Sequence, residues 1–339
     1  MAFENRFGFS LSRESMFDEC RRRYYFHYYL SWKGWEPQAP TIVREAFRLK
    51  RLVSLALWRG QLIHYVTTKV LQSMKAKGHV PEKSRVLDYT LERFDKQLAF
   101  SSSGRYRTEP KKRSGKLNID WLAIFEHEYG RRISEERIEQ IRQECVEGIN
   151  GLFAGPMIGA IFDSDSGQWE IEDLDHAEFS QNFIFHGVTV YAKTDLIFRG
   201  RDGSFNIVDW KTNRPHASEG AASPGEEAGA QRHRVQLGIY GYHAAKIRNE
   251  PLDSIHLYEV NLLDQGRVVE YAIGEDELEI FDEHIVQGIS KLSSVLVDFD
   301  TRRNEPLPPD SFPTIDNGDC RFCNFYRICK DESSPHRLD

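Results

Sequence analysis

The residues of this chain whose types and spacing could do chemistry are two aspartates, a lysine and four cysteines. The stretch VTVYAKTDLIFRGRDGSFNIVDWKTNR holds the first three, Asp195, Asp209 and Lys211. A turn through Arg201-Asp202-Gly203, with glycine where positive φ is needed, pairs Gly200 with Ser204. Counting back along both strands then sets Asp195 directly opposite Asp209. Carboxylates so placed have Cβ atoms roughly 4.5–5.5 Å apart and repel each other. A divalent cation relieves the repulsion, and a hard cation such as Mg²⁺ takes carboxylate oxygens at about 2.0–2.1 Å. Lys211, the second residue after Asp209, leaves the strand on the same face. An ammonium beside a two-carboxylate metal site can orient a water nucleophile and stabilise charge on a pentavalent phosphorane, as phosphodiester hydrolysis requires. A D-x-K triplet alone is more often a surface ion pair; the aspartate across the hairpin is what narrows the reading.

Further polar groups fall on helical patterns. His64 follows Gly60 by one turn on the stripe Leu49, Val53, Leu57, Gly60, His64, Thr67, Leu71. That placement also suits a buried structural histidine, although the glycine admits a close neighbour. Gln236, Tyr240 and His243 stand at i, i+4 and i+7 on one face, able to contact a phosphate or hold Lys211, or else to form a solvated edge. Among the cysteines, Cys320-x2-Cys323-x5-Cys329 lies at the C-terminal end and Cys20 in an N-terminal helix. Three clustered cysteines leave a tetrahedral site one ligand short, and Cys20 could supply it. Spacing alone does not separate Zn²⁺ from an iron–sulfur cluster. Cys145, in the helical run RIEQIRQECVEGI, reads as an inert buried thiol.

The elements that must position these groups follow a simple order. Ser10 and Ser12 are candidate caps for an N-terminal helix (1–36) carrying a dense aromatic run from Phe17 to Tyr29. A long helical pattern runs from about Arg44 to Lys75, and residues 76–165 read as a helical insertion interrupted by SSSGRYRTEPKKRSG. From about Gln168 the character becomes β: QWEIEDLD, FSQNFIF, VTVYAKTDLIF and SFNIVDWK, with turns at His186-Gly187 and Gly200–Gly203. A polar loop (213–231), the helical VQLGIYGYHAAKI, the strand SIHLYEVNLL, and a helix from about Asp276 to Asp298 complete the core. The 166–263 stretch is the expected core sheet and helix, and 306–339 the cysteine segment. A mixed α/β architecture with helices on both sheet faces is the simplest arrangement.

Composition sets few limits. Of 339 residues, 40% are hydrophobic and 29% charged, with net charge −7. No run approaches the ~18 apolar residues of a membrane span, and MAFENRFGFS lacks a basic-then-apolar signal pattern, so an intracellular, soluble, cytoplasmic protein is the expectation. Two basic runs, Arg44, Arg48, Lys50, Arg51, Arg59 and Arg105, Arg107, Lys111, Lys112, Arg113, Lys116, could supply phosphate contacts, with Trp32, Trp35 or Tyr106 stacking on bases.

The ordered set Gly60-x-x-x-His64, Asp195, Asp209-Trp210-Lys211-Thr212 and Gln236-Leu237-x-x-Tyr240, with the opening FSLSRESMFDEC, resembles the RecB-like PD-(D/E)XK nucleases. The resemblance implies a restriction-endonuclease-like core, a mixed sheet flanked by helices, in which His64, Asp195, Asp209 and the Trp210 carbonyl bind Mg²⁺ or Mn²⁺. It makes Lys211 the catalytic lysine, supported by Gln236 and Tyr240. Thr194 stands where the family's motif has proline, and residues 76–165 lie outside the likeness. Cys20 with Cys320, Cys323 and Cys329 is similar to the 4Fe–4S staple of AddAB-type and CRISPR-adaptation nucleases, although Arg21 replaces their frequent proline.

The expected function is metal-dependent hydrolysis of DNA, as an exonuclease on single-stranded or free-ended substrate, with a helicase or other DNA-processing protein as candidate partner. The alternatives are a non-catalytic nucleic-acid- or partner-binding subunit that keeps the nuclease fold, and a zinc-stabilised structural protein. If the two aspartates share a cation, Asp209→Ala abolishes cleavage and leaves the fold intact, and EDTA silences the wild type. Residual turnover in either experiment rules the two-carboxylate mechanism out.

Overall fold

The hairpin bearing the two aspartates is built by pairing Leu196–Arg199 with Phe205–Lys211. In this computed structural model, which describes residues 4–113, 116–172, 182–213, 224–315 and 320–330, the register is Leu196↔Val208 through Arg199↔Phe205. Gly200 N–H donates to the Ser204 carbonyl at 2.9 Å, and Gly203 takes φ 87°. These are the pairings counted from the turn, so the ladder's next rung sets Asp195 against Asp209. The central strand FNIVDWK is buried along its length except at Lys211. Such a run suits a strand covered on both faces.

The hairpin belongs to the larger of two compact units, Ser54–Phe183 with Ala192–Asp282. Its five-stranded sheet runs Arg267–Tyr271, Ile255–Asn261, Phe205–Lys211, Leu196–Arg199, Glu170–Ile171. Phe205–Lys211 and Ile255–Asn261 are parallel, with Asp209 opposite Glu259 and Lys211 opposite Asn261, and the remaining pairs are antiparallel. Parallel neighbours need a crossover connection, and the helix Pro224–Tyr242 lies within it. Helices Leu55–Lys77, Lys83–Ser102 and Glu135–Ala154 pack on one another. A Cβ on Gly151 would lie 2.0 Å from the Leu262 carbonyl oxygen, so glycine there lets a helix touch the backbone leaving the sheet.

The second unit comprises Met1–Val53, Ile184–Tyr191 and Glu283–Asp339. Gly8–Phe9 pairs in parallel with Val188–Val190, in a sheet completed by Phe183–Phe185. His186 (φ 46°) and Gly187 (φ 82°) make the expected tight turn. The aromatic run buries Phe17, Tyr24 and Phe26. Tyr25 meets Phe312 and Phe26 meets Phe325, with ring centroids 4.9 and 5.5 Å apart. Arg22 Nε donates to the Phe312 carbonyl at 2.8 Å.

Several expectations need correction. The long helix expected over 44–75 is two, Thr41–Leu49 and Leu55–Lys77, because Ser54 caps the second by accepting the Leu57 N–H at 3.2 Å. Leu57, on the expected apolar stripe, is 52% exposed. The helix expected over 276–298 spans Glu275–Ser293. VTVYAKTDLIF is not one strand: Val188–Val190 and Leu196–Arg199 join different sheets. Residues 173–175 and 179–181 of the expected strands, and 214–223 of the polar loop expected over 213–231, lie outside the described residues, and the loop's expected last residues are already helix, Pro224–Tyr242.

A Cβ on Gly238 would meet Phe281 Cζ at 1.9 Å. Gly238→Ala gains about 1 kcal/mol of helix propensity but overpacks a buried ring, at a cost of about 1–3 kcal/mol. Net destabilisation is expected in urea melts, with Phe281→Leu recovering part of it; a stabilised Gly238→Ala would show that the ring moves freely.

Candidate active site

Asp195, Asp209, Lys211, Gln236, Tyr240 and His64 all fall within the larger unit. Asp195 precedes its strand, where its side chain replaces the ladder: Oδ2 accepts the Trp210 N–H at 2.7 Å. Its Oδ1 lies 3.4 Å from His64 Nδ1, and its carbonyl accepts the Glu172 N–H at 3.0 Å. Lys211 Nζ donates to Gln236 Oε1 at 2.9 Å and lies 2.5 Å from Asp209 Oδ2. Gln236 Nε2 reaches Asp209 Oδ1 at 3.3 Å and Tyr240 OH at 2.7 Å, and Tyr240 OH donates to the Lys193 carbonyl at 2.5 Å. The Lys211 carbonyl is taken by the Leu262 N–H at 2.8 Å. Alternation along the strand therefore turns the Trp210 carbonyl to the opposite side, toward Asp195.

Burial dominates the electrostatics. Asp209 is 4% exposed, and burial pushes its carboxyl up to about 6; Lys211 pulls down and Asp195 pushes further up. Burial works against a charged His64, but the charge and hydrogen bond of Asp195, with Asp209 and Glu172 beyond, together raise its pKa. Burial also carries the Tyr240 hydroxyl well above its ordinary range, so it acts as a neutral donor. The Lys211 ammonium offsets Asp209, and the His64 ring faces Asp195.

A family model, the PD-(D/E)XK nuclease superfamily, matches residues 8–330. The chain belongs to that superfamily. Its mixed sheet flanked by helices is consistent with the superfamily's fold, and members are usually metal-dependent nucleases. The crystal structure of SSO0001 is similar at 18% identity, covering 83% of this chain and 100% of its own, with a TM-score of 0.25, too low to support a structural comparison. No curated protein matches.

PD-(D/E)XK nucleases typically use a divalent metal. Among the described residues, no three His, Cys, Asp or Glu side chains are grouped as a metal ion would need; Asp209 is instead paired with Lys211. The donor chemistry nonetheless fits a hard cation. Asp209 is buried with Oδ2 met by the Lys211 ammonium alone, at 2.5 Å, and the Asp195 carboxylate lies opposite across the hairpin.

The cysteines stand in the other unit. Cys20, Cys320, Cys323 and Cys329 are free thiols lining one pocket with Phe26 and Phe325. They do not form a metal-holding group as they stand. Burial raises the Cys323 and Cys329 thiols, the latter to about 11, with neighbouring cysteines adding to it. Cys145 is fully buried and pushed up to about 12 by burial, which fits an inert thiol.

Other expectations separate from the site. His243 is buried beside Phe183 rather than sharing the Gln236–Tyr240 edge. Tyr106 is 5% exposed and donates to Glu128 at 2.8 Å, so its ring offers no face to a base. Arg48, Arg59, Arg105 and Arg107 of the basic runs are paired with Glu45, Glu144, Glu109 and Glu128. The side chains of Lys112, Arg113 and Lys116 lie outside the described residues. Sequence reasoning missed Glu172, buried and paired with Lys193, and the clamp by which Arg59 Nη2 donates to the Thr212 carbonyl at 2.6 Å. Their only sequence signal is adjacency, Arg59 beside Gly60 and Glu172 at the end of the strand run WEIE.

Asp209 yields a pH dependence whose sign is fixed. Its folded pKa of about 6 lies above the ordinary 3.8, so the folded state binds this proton more tightly than the unfolded chain does. The resulting stability is complete below about pH 4 and lost as pH rises through about 6. In EDTA, Asp209→Asn is therefore expected to melt above wild type at pH 8, by on the order of 1–3 kcal/mol, with the gap closing toward pH 4. A less stable variant at pH 8 would mean that the Lys211 pairing outweighs the buried charge.

Proposed function

We propose that this protein is a Mg²⁺- or Mn²⁺-dependent deoxyribonuclease that hydrolyses phosphodiester bonds as an exonuclease on single-stranded or free-ended DNA. The observation that carries the reading is the buried Asp209 beside Lys211, with Asp195 opposite across the hairpin. His64, Asp195, Asp209 and the Trp210 carbonyl would hold the cation. When bound, it supplies Lewis-acid polarisation of a phosphoryl oxygen. The Lys211 ammonium orients the attacking water and stabilises the charge gathering on the phosphoryl oxygens. Gln236 fixes both members of the pair, accepting from Lys211 and donating to Asp209. Tyr240, anchored on the Lys193 carbonyl, receives the second Gln236 N–H and so sets the amide's orientation. Trp35, 43% exposed, supports stacking on an unpaired base.

The same reading gives Cys20, Cys320, Cys323 and Cys329 to a structural 4Fe–4S cluster, with Zn²⁺ as the alternative; their convergence on one pocket supports it. A helicase or DNA-processing partner and a cytoplasmic setting remain part of the proposal. Among the described residues, no helix is long and apolar enough to cross a membrane.

The test uses end-labelled linear and circular DNA, single- and double-stranded, with and without Mn²⁺. Linear single strands are expected to shorten while circles survive. Nicked circles would make the enzyme an endonuclease, and inert substrates throughout would end the nuclease reading. For the cysteines, Cys20→Ser is expected to bleach the brown colour of anaerobically purified protein and lower its melting temperature, with Cys145→Ser keeping both. Cys20→Ser protein that stays brown with full iron would place the fourth ligand elsewhere.

A further inference from the structure

A second polar pair flanks the Asp209–Lys211 edge on the side away from Asp195. Glu259 is the register partner of Asp209 on the neighbouring parallel strand, so their side chains leave the same face of the sheet. Its Oε2 lies 3.2 Å from His233 Nδ1. His233 stands on the helix that carries Gln236 and Tyr240, at i, i+3 and i+7, and so belongs to the face that holds Lys211. Glu259 is also within electrostatic reach of Lys211. The histidine side chain is 27% exposed and engages Glu259 through Nδ1, which leaves Nε2 as the nitrogen available for proton transfer.

We propose that His233, oriented by Glu259, is the proton acceptor for the water that attacks phosphorus. The proposal rests on the nuclease reading above. With Nδ1 facing the Glu259 carboxylate 3.2 Å away, the proton belongs on Nδ1 and the Nε2 lone pair is the acceptor. As the water oxygen bonds to phosphorus, its proton passes to Nε2. The electron pair of the scissile P–O bond leaves with the sugar oxygen, which takes a proton from solvent, and His233 returns its own proton to solvent. Lys211 positions the water and His233 deprotonates it, so neither group has to do both. General bases of this kind contribute about 10²–10⁴-fold.

The experiment compares wild type, His233→Ala and Glu259→Gln on linear single-stranded DNA with Mn²⁺. His233→Ala is expected to lose about 10²-fold or more in kcat, with DNA affinity in Ca²⁺ and the melting temperature unchanged. Added imidazole should restore part of its turnover, and a series of substituted imidazoles should restore more as their basicity rises. Glu259→Gln keeps the base but loosens its orientation, so it should show a smaller fall in kcat and no rescue. A His233→Ala protein that cleaves at the wild-type rate overturns the proposal, and so does a slow, folded one that imidazole does not rescue. If His233→Ala does not fold, a Glu259→Gln enzyme of undiminished kcat overturns it instead. A wild type that cleaves no DNA would sink the nuclease reading itself, a result distinct from these.

Discussion

The larger unit is organised around a carboxylate that the sheet buries. Asp209 occupies the central strand, is 4% exposed and faces a second carboxylate across the hairpin. A buried carboxylate without compensation would cost several kcal/mol or would neutralise itself by taking up a proton. The surroundings answer that cost group by group. Lys211 brings a positive charge within 2.5 Å, Gln236 donates to one oxygen, and Asp195 is turned to accept the Trp210 N–H while its other oxygen faces His64. Compensation is incomplete, since burial still pushes the carboxyl up to about 6 despite Lys211. A folded protein retains such an expense where chemistry needs it.

The interruption of the hairpin at Asp195 follows from the same constraint. The strand that begins at Leu196 does not extend to Asp195, whose side chain takes the Trp210 N–H that a ladder partner would otherwise satisfy. A local carboxylate replaces one backbone hydrogen bond, and in doing so the aspartate becomes rigid. Tyr240 repeats the device on the Lys193 carbonyl, three positions before Leu196. The edge that carries Asp195 and Asp209 is therefore held by side chains reaching into a gap in the backbone pairing, and a shift of one residue in register would dismantle it.

In the smaller unit a different force gathers the four cysteines. The aromatic run near the N-terminal end packs on Phe312 and Phe325, and a main-chain carbonyl at Phe312 accepts from Arg22. Apolar burial thus brings Cys20 to the pocket that Cys320, Cys323 and Cys329 line without any disulfide. Asn324 adds a bond to the Leu52 carbonyl at 2.8 Å, and Arg327 pairs with the buried Glu45. These contacts hold the segment by packing and charge.

The sequence by itself determined the hairpin register, because a three-residue turn with glycine at φ 87° and the alternation of a strand leave a single way to count from Gly203 to Asp209. It also determined that Gln236 and Tyr240 share a helix face, since 3.6-residue periodicity is local. Only the tertiary structure decided where periodic patterns stop. Ser54 ends one apolar stripe and starts another helix, and Val188–Val190 parts from the strand Leu196–Arg199 to pair with Gly8–Phe9, a partner some 180 residues away. The pairing of His233 with Glu259, the burial of Tyr106 and the pairing of Arg48, Arg59, Arg105 and Arg107 with glutamates were equally out of reach of the sequence. Turn geometry and side-chain alternation are fixed by neighbours within a few bonds, whereas burial and charge pairing depend on which distant surfaces meet, and one chain's local pattern fits many such meetings.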